Sequence, residues 1–190
     1  MTPDLFEQSP YPPGFSYRPE FLSEQEEAAL VEQVALLPLK EFEFHGFTGK
    51  RRTASFGWKY DFSAQRLQEA EPFPPFLLPF RAAAAAQFAL RPDAFEQMLV
   101  TEYAPGAGIG WHKDRSVFGV ITGISLAAPG LLRLRRGGDG KWQRISVEVA
   151  PRSIYLFEGE ARSEWEHSIP PVSEKRYSIT LRTLARLRNG

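Results

Sequence analysis

Residues Met98 to Asp114 read "MLVTEYAPGAGIGWHKD", and this stretch decides the kind of fold around it. An apolar run of strand length, Met98 to Tyr103, meets a turn rich in Ala, Pro and Gly. The chain then resumes as a short extended piece ending on a histidine, a lysine and an aspartate. The same texture continues downstream in "VITGISLA", "LLRLRR", "QRISVEV", "SIYLFEG" and "YSITLRTL". Each run is short and bounded by Gly, Pro or Asp, and "RRGGDGKW" between two of them is a hairpin signal. Closely spaced strands without intervening helices imply an antiparallel sandwich or barrel from about Phe95 to residue 185.

Upstream the texture changes. "SPYPPGFSYRP" is proline-rich and reads as extended or turned. In "SEQEEAALVEQVALLPL", Ser23 and Glu26 form a capping box, and Leu30, Val31, Val34 and Leu37 recur at helical spacing before Pro38. A helix over Ser23 to Leu37 is expected. A second is expected through "PPFLLPFRAAAAAQFAL", because Ala82 to Ala86 are strong helix formers, with Pro75 and Pro79 blurring its start. Between them, Lys40 to Phe62 interleaves Phe42, Phe44, Phe47, Phe56, Trp58 and Tyr60 with Lys50, Arg51 and Arg52, punctuated by Gly46, Gly49 and Gly57. Two readings fit: an amphipathic hairpin whose rings pack on the core, or a lid whose rings stack planar bases while its cations meet phosphate.

The 190 residues suit a single domain with a real core. Twenty-three basic and 23 acidic side chains cancel, so any attraction to nucleic acid or an anionic membrane is local. The chain has no cysteine, which excludes disulfides, thiolate metal sites and a thiol nucleophile. The first residues lack a signal peptide's basic start and apolar run, and no stretch approaches ~18 consecutive apolar residues. A cytoplasmic protein with no membrane partner, acting as a monomer, is the expectation.

The chemistry starts at His112 and Asp114. On extended backbone residues i and i+2 share a face, so the pair offers an imidazole nitrogen and a carboxylate oxygen to one point while Lys113 faces away. A His near an Asp is also an ordinary surface hydrogen bond. His167, in "EARSEWEHSIPP", adds a third group: two histidines and one carboxylate from a β core have the composition of the non-haem Fe(II) facial triad, which leaves positions open for co-substrate and dioxygen. In "RYSITLR", Arg176 and Arg182 are an even number of residues apart, so both point to one side of a strand, roughly 20 Å apart at the usual rise. Two such arms can approach a small dicarboxylate from opposite ends.

Together "MLVTEYAPGAGIGWHKD", "GISL", "RSIYLFEGEARSEWEHSIPP" and "RYSITLR" resemble the AlkB-type Fe(II)/2-oxoglutarate dioxygenases, over about Phe95 to Leu184. The resemblance implies a double-stranded β-helix, or jelly roll, mainly β with flanking helices. One dioxygenase domain would fill residues 1–190, with N-terminal helices and a recognition lid at about 40–62 ahead of a catalytic core at 95–185. It implies Fe(II) on His112, Asp114 and His167, with 2-oxoglutarate as co-substrate and dioxygen as oxidant. Arg176 would hold the distal carboxylate of 2-oxoglutarate with a hydrogen bond from Tyr103, and Arg182 would sit near the carboxylate at the metal end. Thr101 stands where members often have Asn, and a hydroxyl replaces only part of an amide's bonding.

The implied reaction is oxidative demethylation of an N-methylated base in DNA or RNA, with single-stranded methylated nucleic acid as partner. Members that repair bases often carry a second acid two residues after the iron-binding Asp. Here that position is Ser116, preceded by Arg115. Phe56, Trp58 and Tyr60 are candidates for stacking the base, and Lys50, Arg51, Arg52, Arg133, Arg135 and Arg136 for meeting phosphate; "RLRR" also reads as the solvent face of a strand. A protein or small-molecule substrate, or a non-catalytic nucleic-acid-binding jelly roll, are the alternatives.

Overall fold

The computed structural model describes residues 10–44, 47–138 and 140–185, without side chains for 42–44 and 47–49. In chain order its first elements are β1 (Phe15–Arg18), α1 (Glu24–Ala35), β2 (Lys40–Phe44), β3 (Phe47–Phe56), β4 (Trp58–Asp61) and β5 (Arg66–Glu69). A 3-10 turn at Pro75–Leu77 leads into α2 (Leu78–Gln87). Then come β6 (Gln97–Tyr103), β7 (Ile109–His112), β8 (Phe118–Leu126), β9 (Gly130–Gly138), β10 (Lys141–Val149) and β11 (Ile154–Phe157). The chain closes through α3 (Gly159–Ser163), β12 (Glu166–Ile169) and β13 (Arg176–Leu184).

The strands form a seven-stranded sheet, β1-β11-β8-β13-β6-β3-β2, facing a four-stranded sheet, β10-β9-β12-β7, with β4 and β5 as a separate hairpin. The pairings are antiparallel throughout. The expected jelly roll is therefore present, with helices on one side.

The large sheet is buried on both faces, which is why β6, β8 and β13 read as almost continuous apolar runs. One face packs Met98, Val100, Ile124, Ile179 and Leu181 against Leu30 and Val34 of α1 and Ala84 and Ala85 of α2. The other encloses Ile121, Leu132, Leu134, Val149, Phe157 and Ile169 between the two sheets. Alternation sorts the polar residues: Gln97, Thr101 and Tyr103 on β6, and Arg176, Ser178 and Arg182 on β13, all face the inter-sheet space.

The capping box holds α1 as expected, Glu26 N–H donating to Ser23 Oγ at 3.2 Å and Ser23 N–H to Glu26 Oε2 at 2.8 Å. The helix ends at Ala35, short of the expected Leu37, because the residue before a proline is pushed out of the helical region. Pro75 and Pro79 sit at first-turn positions, where no N–H is required, so they divide the second helix into a 3-10 turn and α2. Three strands lie where no strand was expected: β5 (Arg66–Glu69), which pairs with β4, and two more. The proline-rich opening supplies β1, an edge strand on β11, and the segment around His167 supplies β12. In addition, strand pairing of β7 stops at His112, so Asp114 stands in the loop beyond it.

Candidate metal centre

His112, last residue of β7, lies opposite His167 of β12 in the strand register. Their rings are 4.2 Å apart, tilted by 56°. Asp114 turns back from the loop so that its Oδ2 is 3.4 Å from His167 Nε2. Among the described residues this is the one cluster of its kind: one ligand atom from each of the three lies within 4.8 Å of the others. His112 Nδ1 is 2.8 Å from the Gly110 carbonyl. A carbonyl only accepts, so Nδ1 carries the proton and Nε2 keeps its lone pair for a metal.

Asp114 is held by Arg182, whose Nε and Nη2 both donate to Oδ1, at 2.9 and 2.6 Å. That leaves Oδ2 on the side of His167. Burial opposes ionisation of Asp114, but the charge of Arg182, ahead of His167, His112 and Arg162, holds the carboxyl well below its usual range. Burial pushes the His167 imidazole down to about 3, against the pull of Asp114. The centre thus presents a carboxylate and a neutral imidazole at neutral pH, the protonation states a divalent ion needs. Arg182 completes its bonding through Nη1 to Gln97 Oε1 at 2.8 Å. Each of its three nitrogens donates within the chain, which sets Arg182 beside Asp114 at the metal end.

Arg176 is different. It is fully buried, yet its Nε and Nη1 have no hydrogen-bond partner. Nη2 donates to Ser125 Oγ at 3.0 Å, and the guanidinium lies 5.2 Å from the Tyr103 ring. A permanently charged group with two orphaned donors is costly unless an anion completes it. The guanidinium fits because Gly130 has no side chain: a Cβ there would come within 2.8 Å of Nε. Register places Arg51, Tyr103 and Arg176 in one row across β3, β6 and β13, with Thr53, Thr101 and Ser178 in the next row. Thr101 is buried on the face of β6 that carries Tyr103.

At the rim, Arg115 follows Asp114 and its guanidinium lies 5.2 Å from the rings of both Tyr60 and Phe62. Ser116 is exposed in the turn beyond it, and Trp58 is half-buried on β4. Arg162 of α3 anchors this loop, donating to the carbonyls of Arg115, Phe118 and Gly119 at 2.7, 2.8 and 3.0 Å.

Other expectations are corrected. Phe56 is not a stacking platform, because it is buried in the helix-side core against which α1 and α2 pack. Arg52 pairs with Glu102 at 2.7 Å, and Arg136 with Glu160 and Glu164 at 2.7 and 2.8 Å, so both are engaged within the chain. By contrast, Arg135 bonds Glu166 only through Nε, at 2.6 Å, and lies on the outer face of the small sheet, opposite the inward-facing metal ligands; its terminal nitrogens make no hydrogen bond among the described residues. The side chains of Phe42, Phe44 and Phe47 lie outside the described residues. Gln97, Ser125, Gly130 and Arg162 belong to the centre but were not picked out. Gln97 had a signal, a polar residue in an apolar strand on the face of Thr101 and Tyr103.

A jelly roll with two histidines, a carboxylate and a buried unpaired guanidinium has the donor set for Fe(II) and a dicarboxylate. The family profile of the 2OG-Fe(II) oxygenase superfamily matches residues 14–186, and the chain belongs to that family. Its members use Fe(II), 2-oxoglutarate and dioxygen. Within it the chain is of AlkB type. It is 31% identical over 175 residues to the probable RNA/DNA demethylase ALKBH6 of Danio rerio, covering 86% of this chain and 72% of the relative. It is 28% identical over 186 residues to the alkylated DNA repair protein ALKBH8 homolog of Arabidopsis thaliana, covering 83% and 51%. An uncharacterized protein, L905 of Acanthamoeba polyphaga mimivirus, is 31% identical over 102 residues, 47% of this chain and 48% of that one. The chain thus spans about half the length of these last two relatives. The solved structure of OsALKBH1 shares the fold with a TM-score of 0.72 at 15% identity, covering 91% of this chain and 98% of that one. A Pseudomonas putida prolyl-4-hydroxylase shares it with a TM-score of 0.62 at 18% identity, covering 90% and 93%.

Proposed function

We propose that this chain, as a cytoplasmic monomer, demethylates N-alkylated bases in single-stranded DNA or RNA. The observation that carries the reading is the rim: one residue beyond Asp114, a cation lies 5.2 Å from each of two aromatic rings that themselves meet edge to face. Planar rings beside a cation suit a base and its phosphate. The relatives' names, an alkylated DNA repair protein and a probable RNA/DNA demethylase, point the same way.

In this reading His112, Asp114 and His167 would hold the iron. Arg176, with Tyr103 beside it, would take the distal carboxylate of 2-oxoglutarate on its two unpaired nitrogens, with Thr101 lining the same wall. When bound, iron, 2-oxoglutarate and dioxygen supply an oxidant for the N-methyl group, yielding succinate, CO₂, formaldehyde and the bare base. The chain's own part is positional. Arg182 fixes Oδ1 of Asp114 and leaves Oδ2 for the metal. Arg162 keeps the loop carrying Arg115 and Ser116 in place, and Tyr60 with Phe62 flanks the entrance. A base must leave its stack to reach such a centre, which is easiest in a single strand.

Formaldehyde release from a panel of oligonucleotides, each carrying one methylated base, tests the proposal. Release that needs Fe(II) and 2-oxoglutarate and vanishes in His112→Ala supports it; silence across the panel, with iron and 2-oxoglutarate bound, refutes it. Ser116 in place of an acid, and a net charge of zero, favour a second reading in which the substrate is a protein or small molecule. That reading gains if methylated single strands fail to bind at low salt, where phosphate contacts are strongest.

A further inference from the structure

The small sheet has an outer face that the metal centre does not use. Leu132, Leu134, Val147 and Val149 point into the core, so the residues between them point outward. Across the four strands the outer face carries Trp142 on β10, Arg133 and Arg135 on β9, Glu166 and Ser168 on β12, and Trp111 on β7.

These side chains form a ladder. The Arg135 guanidinium lies 4.6 Å from the Trp142 ring and 4.3 Å from the Trp111 ring, with Arg133 5.0 Å from Trp111. Both arginines are tied to the sheet through Nε, Arg135 to Glu166 at 2.6 Å and Arg133 to Ser168 Oγ at 3.1 Å. Among the described residues their terminal nitrogens make no hydrogen bond. Trp142 lies over Gly137, where a Cβ would be 3.4 Å from the ring, and remains 51% exposed. Exposed Arg144 stands opposite Arg135 in the register. Of the carboxylates on this face, Glu166 is already paired, and Glu148 lies at the other end, opposite Leu131.

We propose that this ladder is a binding track for a single strand of nucleic acid, which it leads over the edge of the sheet to the metal centre. The inference extends the nucleic-acid reading of the site. The exposed indole of Trp142, with the half-buried Trp111 at the other end, fits the π-face of any base, and outward guanidinium nitrogens fit the phosphates between bases. The track crosses three strand gaps, roughly 14 Å at the usual spacing. β7 is the edge strand, and His112 follows Trp111 on it, facing the opposite way. A strand lying on the ladder therefore leaves it one residue from the first iron-ligand candidate. An acidic protein segment would satisfy the arginines but make no use of two tryptophan faces.

The test is fluorescence anisotropy of labelled, unmethylated dT12 and rU12 on the full chain with Fe(II) and 2-oxoglutarate under anaerobic conditions. Trp142→Ala is expected to weaken binding about tenfold, and Trp142→Phe to keep it within about threefold, since a ring still stacks. Arg144→Gln is expected to make the slope of log K against log salt shallower by about one. Tryptophan fluorescence should be quenched by the strand in wild type, and much less in Trp142→Ala. Unchanged affinity in both Trp142→Ala and Arg144→Gln, with the circular dichroism of the wild type, overturns the track. So does a polyglutamate that competes as well as an oligonucleotide of equal charge. The track and the demethylase reading fail separately. Ladder-dependent binding without formaldehyde from any methylated strand keeps the track and removes the reaction, whereas formaldehyde release with ladder-independent binding does the reverse.

Discussion

Replacing Arg176 by Met isolates the role of the buried guanidinium. In the chain without ligands, Arg176 is a fully buried cation with one hydrogen bond, to Ser125, and two nitrogens without a partner. An isosteric apolar side chain removes an uncompensated charge, so the ligand-free protein should be no less stable, and its Tm should hold or rise. The dicarboxylate loses two charge-assisted hydrogen bonds at about 1.5–3 kcal/mol each. Roughly 3–6 kcal/mol in total means a Kd for 2-oxoglutarate higher by two to four powers of ten. Anaerobic titration of the iron-loaded protein, read at the visible band of the bound keto acid, measures this directly. Thermal denaturation gives an independent reading: 2-oxoglutarate at 100 times its Kd should stabilise wild type by about 2.7 kcal/mol, or roughly 5–11 °C in Tm for a chain this size. Arg176→Met should show no such shift at that concentration. A variant that binds 2-oxoglutarate normally while its ligand-free form melts much earlier would refute the reasoning, because the guanidinium would then be structural.

Arg182→Lys keeps the charge but loses the fork on Asp114 Oδ1, and iron affinity by chelator competition should fall about 10- to 100-fold; unchanged affinity would show that Asp114 needs no such clamp. Gly130→Ala would place a Cβ within 2.8 Å of Arg176 Nε, so the Kd for 2-oxoglutarate should rise about tenfold while iron affinity stays constant, and equal loss of both would contradict it. In metal-free protein, His167 titrates at about 3 when folded and near 6.5 when unfolded, so the unfolded chain binds the extra proton. Its effect is absent above pH 6.5 and destabilises as pH falls from there towards 3. Because 18% of the side chain still meets solvent, about 1 kcal/mol per pH unit is expected. Urea unfolding of wild type and His167→Gln should therefore diverge between pH 6.5 and 4.5, and parallel curves would rule the effect out.

What the sequence reveals about this site follows from periodicity. Tyr103 and Thr101 share a strand face, as do Arg176 and Arg182, and alternation alone places each pair on one side. Alternation also sets Asp114 on the side of His112, but that the strand ends before Asp114 and that Arg182, 68 residues later, holds its carboxylate from across the loop was not legible. Phe56 misled for a related reason. It alternates like its neighbours in an aromatic segment, but the helices that cover one face of the large sheet decide which rings are core, and their docking is a tertiary fact. β12 was hidden because a four-residue strand between a short helix and two prolines carries too little pattern to declare itself. The ladder on the small sheet shows the same limit: Trp111 and Trp142 are 31 residues apart in sequence and are joined through Arg135, which lies against both rings.

The pairing of β12 with β7 is in register at His167 and His112, then slips before Ile169 and Ile109. The slip falls beyond the two histidines, so the cross-strand pair that sets their rings 4.2 Å apart belongs to the regular part of the ladder. A register change confined to the far side of the slip would leave that pair opposed, whereas a one-residue shift at His167 would turn its imidazole to the outer face of the small sheet.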